Sequence, residues 1–264
     1  MKTIDLNSDL GEGVAADGLS ADDLDDALLS VITSANVACG GHAGDLASMT
    51  RICSRAGELG VAIGAQISYV DRVGFGRRRL DIVPDLLREQ LLEQLTALTA
   101  CARAVGTDVA YVKPHGALYN AAADDADTAQ AVVEAILRDA DQRGRALSVL
   151  TLPGSMLAQI ATPHGIAVFT EAFADRAYTD TARLVPRTED GAVIHDPHVV
   201  ETRVLQMVLE SSITSINGVP IPNTCDSICV HSDTDGALVL VRRIRKALQD
   251  KGIELQSFMP PGNS

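Results

Sequence analysis

The sequence predicts an α/β protein, a TIM-like barrel of parallel strands each followed by a helix. Seven apolar runs recur along the 264 residues, each ahead of a stretch with helical periodicity, and parallel connections of that kind wind right-handed and close into a barrel. Ionisable residues gather at the carboxyl ends of these runs, where parallel barrels keep their chemistry. No Pro/Gly/Ser-rich linker divides the chain, so one domain over residues 1–264 is expected. Periodicity alone also admits an open doubly wound sheet.

The first run, Thr3-Ile4-Asp5-Leu6-Asn7-Ser8-Asp9, alternates and places Asp5, Asn7 and Asp9 on one face, ahead of the turn Gly11-Glu12-Gly13. Ser20 caps a helix with an acidic first turn. Residues 31–38 form the second strand and empty into Cys39-Gly40-Gly41-His42-Ala43-Gly44-Asp45, a loop that presents Asn36, His42 and Asp45. Asp45 fits equally as the N-cap of a helix over 46–58. The third strand, 61–68, ends in Gln66 and Ser68. Arg77, Arg78 and Arg79 follow, either an anion grip or a solvated loop paired with surface acids. Pro84 suits the first turn of a long helix to Val105.

The fourth run, Val109-Ala110-Tyr111-Val112, delivers the chain into Lys113-Pro114-His115-Gly116, so a cation and an imidazole share one face; Tyr119 and Asn120 follow. A helix is expected over 127–142, a fifth strand over 147–152 and a short helix over 155–161. The sixth strand ends in Glu171, and Asp175-Arg176 open an irregular section to Ile194 whose length suits a lid. His164 reads as a turn residue, and His195 and His198 as residues of the start of a helix over 198–211. Asn217-Gly218 marks a hairpin. The seventh strand, Ser227-Ile228-Cys229-Val230, ends in His231 and Asp233, and a last helix covers 235–250.

Composition narrows the function. A formal charge of −13 argues against general affinity for nucleic acid or anionic membranes, although local basic loops still suit an anionic small molecule. The amino terminus enters a strand directly, and no run is long enough to span a bilayer, so a cytoplasmic location is expected. Five cysteines without a C-x-x-C pair speak against a disulfide framework. Cys39 reads as apolar filler or as a thiol. The G-x-G-x-x-G, G-x-x-x-x-G-K-[ST] and G-x-S-x-G signatures are absent, which gives no support to standard dinucleotide or ATP loops or to a serine hydrolase elbow.

Six ordered motifs resemble the LamB/YcsF family over nearly the whole length: residues 5–13, 34–45, 74–78, 112–120, 171–178 and 229–231. The resemblance implies a seven-stranded β/α barrel of the glycoside hydrolase and deacetylase type. It also implies ATP-dependent opening of the lactam 5-oxoproline to glutamate, performed with partner subunits B and C. The chain departs from the family pattern with Gln66 in place of a histidine, Gly41 in place of a phenylalanine and Ser232 in place of a glycine. Self-association is compatible with the sequence.

On this footing His115 or His231 is the general base, with Asp9 or Asp233 orienting the imidazole, while Lys113 and Arg77 or Arg176 hold the substrate carboxylate or an activated phosphate. His42 and Glu171 join the catalytic set; Asn7, Asn36, Gln66, Tyr119, Asn120 and Asp175 join Arg77 and Arg176 on the substrate. Two alternatives stand beside it. One is a metal-dependent deacetylase-like hydrolase with Asp9, His42, His115 and His231 as ligands to a divalent ion. The other is a non-catalytic component that binds the substrate for a partner.

Overall fold

A computed structural model describes residues 2–259. Seven parallel strands close into a barrel: β1 (Thr3–Leu10), β2 (Ser34–Ala38), β3 (Ala62–Ile67), β4 (Tyr111–Pro114), β5 (Ser148–Thr151), β6 (Val168–Phe173) and β9 (Ser227–Val230), with β9 returning to β1. Between β6 and β9 the chain forms an antiparallel hairpin, β7 (Ser212–Thr214) and β8 (Pro220–Pro222), around the Asn217-Gly218 turn. A last short strand, β10 (Glu254–Leu255), adds parallel to the start of β1. The closed barrel settles the choice against an open sheet.

Helices α1 (Ala21–Leu29), α2 (Leu46–Leu59), α3 (Pro84–Ala104), α4 (Gly116–Asp124), α5 (Ala126–Arg143), α6 (Met156–Ala161), α7 (Pro197–Leu205) and α8 (Ala237–Asp250) pack around the strands. Their starts follow local chemistry. Ser20, Asp45, Asp125, Ser155 and Asp196 accept from backbone N–H groups of the first turns, and Pro84 sits at the first turn of α3. Two differences from the sequence reading matter. Residues 31–33 leave α1 as a turn, so β2 is three residues shorter than expected, and α4 begins directly at Gly116.

The alternation of β1 decides what fills the barrel. Ile4, Leu6 and Leu10 lie buried in the apolar core, while Asp5, Asn7 and Asp9 point to the barrel axis and stack into a polar column. At its base Asp5 accepts from Thr33 and Ser34, each at 2.6 Å, and from Ser227. Burial still pushes the Asp5 carboxyl up to about 6 against those hydrogen bonds. Asn7 donates to Ser227 at 2.6 Å and accepts from Asn36 at 2.7 Å; Asn36 also donates to Asp9 at 2.9 Å and accepts from the Tyr111 hydroxyl at 2.7 Å. Phe258 closes the lower end against Tyr111 and Phe169. The column rises from there to the carboxyl rim.

Candidate active site

At the top of the column β1, β4, β6 and β9 deliver one buried cluster. Lys113 Nζ lies 3.2 Å from Asp9 Oδ1, 3.2 Å from Glu171 Oε2, 3.1 Å from Cys229 Sγ and 3.4 Å from Asn7 Oδ1. Burial opposes charge on all of them. For Lys113 that penalty is outweighed by Asp9, Cys229 and Glu171, which hold the ammonium well above its usual range. For Asp9 it is outweighed by Lys113 and the nearby imidazoles, which keep the carboxyl low. In Glu171 burial wins and the carboxyl is raised. Its two oxygens accept no aligned hydrogen bond among the described residues, so the Lys113 ammonium is their close counter-charge.

Beside this cluster stands His231, just past β9. Its Nδ1 donates to both oxygens of Asp175, at 2.9 and 3.0 Å, and its ring stacks on Phe173 with centroids 5.1 Å apart. Burial raises the Asp175 carboxyl, but His231, the Thr234 hydroxyl and Arg187 prevail and hold it at about 2. An ionised Asp175 fixes the proton on Nδ1 and leaves Nε2 as an acceptor. Nε2 has no protein partner among the described residues, and His231 lines the adjoining cavity.

His42 and His115 form a second histidine group. Their rings stack at 3.7 Å with 5° between planes. His42 contacts Glu12 through Nε2 at 3.0 Å and Ser68 through Nδ1 at 3.0 Å. His115 contacts Gln66 through Nδ1 at 3.0 Å and donates from Nε2 to the Phe75 carbonyl at 3.0 Å. Phe75 takes a φ of 53°, a left-handed conformation that few non-glycine residues adopt, and this turn brings its carbonyl to His115. Burial, with the adjoining His42 imidazole next, pushes the His115 imidazole well below its usual range. All four ring nitrogens of this group are engaged.

A cavity of about 560 Å³ opens above Lys113 and His231. Asp9, Tyr119, Phe173 and four arginines, Arg77, Arg176, Arg183 and Arg187, line it. The irregular section after Asp175 therefore forms one wall. It is held by the buried Arg176 guanidinium, which donates to the carbonyls of Val185 at 2.6 Å and Ala192 at 3.2 Å. Arg77 pairs with Asp233, and Arg187 lies 3.6 Å from the same carboxylate, so two guanidinium groups share one acid. That leaves a cationic excess suited to a ligand carboxylate.

The expected site residues divide into layers. Asp9, Lys113, His115, Tyr119, Asn120, Arg77, Arg176 and His231 line the cavity. Asn7, Asn36 and Gln66 lie beneath it, fully buried, and Asp175 and Asp233 act on His231 and the arginines from behind. Asn120 also donates to the Gly116 carbonyl within α4. Of the arginine run only Arg77 reaches the cavity; Arg78 pairs with Asp71 and Arg79 with Asp125. Asp45 caps α2, and buried Cys39, its thiol pushed up by burial, serves as filler. Sequence reasoning passed over Glu12, Arg183 and Arg187. A carboxylate between two glycines just past a strand end was the available signal for the first.

Comparison with known proteins gives the chain its family. The model of the LamB/YcsF family matches residues 4–262. The chain belongs to the LamB/YcsF family. Within it, the chain is 50% identical over 256 residues to a Streptomyces avermitilis protein named as the A subunit of 5-oxoprolinase, covering 97% of this chain and 99% of that one. It is 47% identical to a Pseudomonas syringae pv. tomato protein named as the third A subunit of 5-oxoprolinase, covering 98% of each. The crystal structure of the lactam utilization protein from Thermus thermophilus superposes with a TM-score of 0.85 at 35% identity, covering 98% of this chain and all of that one. At Gly41 an added Cβ would lie 2.3 Å from Ser68 Oγ and 2.5 Å from Gln94 Oε1. The space a larger residue needs is taken here by those two side chains.

Proposed function

We propose that this LamB/YcsF protein is the A subunit of an ATP-dependent 5-oxoprolinase and that it carries out the ring-opening step with subunits B and C in the cytoplasm. The observation that carries the reading is the pairing of His231 with Asp175: one imidazole nitrogen is anchored on an ionised carboxylate, and the other faces a cavity rich in cations.

The substrate fits that cavity by chemistry. 5-Oxoproline is a small lactam with one carboxylate, and Arg187 and Arg77, sharing Asp233, are placed to hold it. An unactivated amide is a poor electrophile, so ATP is assigned the task of phosphorylating the lactam oxygen within the complex. His231 Nε2 takes a proton from water as the oxygen attacks the activated carbon. The Lys113 ammonium stabilises the negative charge that develops there. Collapse breaks the ring C–N bond, and the nitrogen takes the proton held on His231 to become the amine of γ-glutamyl phosphate; a second water then attacks that acyl phosphate, releasing glutamate and phosphate. Asp9 keeps Lys113 charged and aimed, and Asn7 and Asn36 hold Asp9.

The test is oxoproline-dependent ATP hydrolysis and glutamate release by the purified chain, alone and with the candidate B and C proteins. Turnover that requires all three supports the reading. ATP hydrolysis by the assembled proteins that is indifferent to oxoproline contradicts it. Tight oxoproline binding with turnover insensitive to His231 would make the chain a substrate-binding component instead.

A further inference from the structure

The second histidine group gathers three metal-ligating side chains around one point and leaves a buried amide oxygen beside them without a partner. With the Ser68 hydroxyl donating to the Tyr69 carbonyl at 3.0 Å, Ser68 Oγ accepts from His42 Nδ1, and that tautomer turns the Nε2 lone pair toward Glu12. The Phe75 carbonyl likewise fixes the His115 proton on Nε2. Each neutral ring then aims a lone pair at the same oxygen: Glu12 Oε1 lies 3.0 Å from His42 Nε2 and 3.4 Å from His115 Nδ1. Gln66 Nε2 donates into this space, to Glu12 at 3.1 Å and His115 at 3.0 Å, but its Oε1 is buried without any partner. A cation would satisfy the imidazole lone pairs and the Glu12 carboxylate together, and turning the Gln66 carboxamide over would bring its Oε1 into the same converging set.

We propose that Glu12, His42, His115 and Gln66 form a binding site for a divalent transition metal, zinc in the first instance, with two imidazole nitrogens and two oxygens as ligands. The donor atoms of Glu12, His42 and His115 already lie within 4.8 Å of one another. Zinc bonds of about 2.0–2.2 Å to nitrogen and oxygen need only a small inward movement from there. Both imidazoles have their outer nitrogens tied to oxygen acceptors, the arrangement that orients metal-binding histidines. Glu12 and His42 also line a separate cavity of about 390 Å³, which gives an ion a way in. The set differs from the one expected from sequence: Lys113 occupies Asp9 and Asp175 occupies His231, and Glu12 and Gln66 stand in their places. The inference does not rest on the lactam reading, because binding is measured without substrate or partner.

Tag-free full-length protein, stripped with chelator and dialysed, is titrated with Zn²⁺ by calorimetry and by competition with a chromophoric chelator, and its zinc content is then measured by elemental analysis. One equivalent per chain, with a raised melting temperature, is expected. Ser68→Ala should weaken binding by roughly 10–100-fold through loss of the His42 tether. Gln66→Leu should weaken it at least tenfold and Gln66→His should tighten it. Absence of saturable one-equivalent binding by the folded protein overturns the proposal. So does affinity unchanged in both Ser68→Ala and Gln66→Leu, variants whose folding is checked by circular dichroism.

Discussion

The barrel rim holds two histidine groups that differ in what their ring nitrogens touch. His231 has Nδ1 on Asp175 and Nε2 at a cavity wall. His42 and His115 are stacked on each other, with every nitrogen engaged by Glu12, Ser68, Gln66 or Phe75. Residue type and strand-end position are shared; availability is not. A base must offer a free lone pair to the proton it removes, and on that ground the proposed mechanism gives proton transfer to His231 and a holding role to the other two. Lys113 belongs with His231, since both line the same cavity.

Three measurements would break or sharpen this contrast. The largest effect is expected from Lys113→Met, which leaves Asp9 and Glu171 facing each other without a cation. Removing one partner of a buried ion pair costs about 3–5 kcal/mol, and urea unfolding should show it; a loss under about 1 kcal/mol would mean that the cluster is not held by that charge. Next comes Asp175→Asn. With its folded-state carboxyl at about 2 against an ordinary 3.8, Asp175 contributes stability that is present above pH 3.8 and is lost as the pH falls through 2. The shift corresponds to about 2–3 kcal/mol. The stability gap between the parent and Asp175→Asn should therefore narrow as the pH falls from 5 toward 2, and a gap independent of pH would separate His231 from an ionised partner. The smallest effect is expected from Arg187→Ala, which removes one of the two guanidinium groups around Asp233. KM for oxoproline should rise about tenfold, or about 1.4 kcal/mol, with kcat little changed. A fall in kcat at constant KM would place Arg187 in the chemistry instead.

Much of the rim was legible in the sequence because strand alternation is strict. Period two put Asp5, Asn7 and Asp9 on one face, and Lys113 with His115, and all five are buried at or beneath the rim. Alternation says which face a side chain takes but not which neighbour it meets across the barrel. The sequence thus offered Asp9 or Asp233 as the carboxylate for a histidine, whereas the fold brings Asp175 across from the end of β6 to His231. The same blindness hid Arg183 and Arg187, which sit in the irregular section after Asp175, where no period exists to read. The helix over 116–124 went unseen because Gly116 marks a turn in any pattern. Here it packs where a Cβ would lie 2.6 Å from the Gly76 carbonyl, so α4 can start immediately after β4.

The most direct test is glutamate release by the reconstituted three-component complex carrying His231→Ala in this chain, measured under saturating ATP and oxoproline beside the parent. Proton transfer by a positioned imidazole is worth about 10²–10⁴-fold, and a fall of that size with the complex still assembled is the predicted result. Turnover within a few-fold of the parent would contradict the assignment of the base.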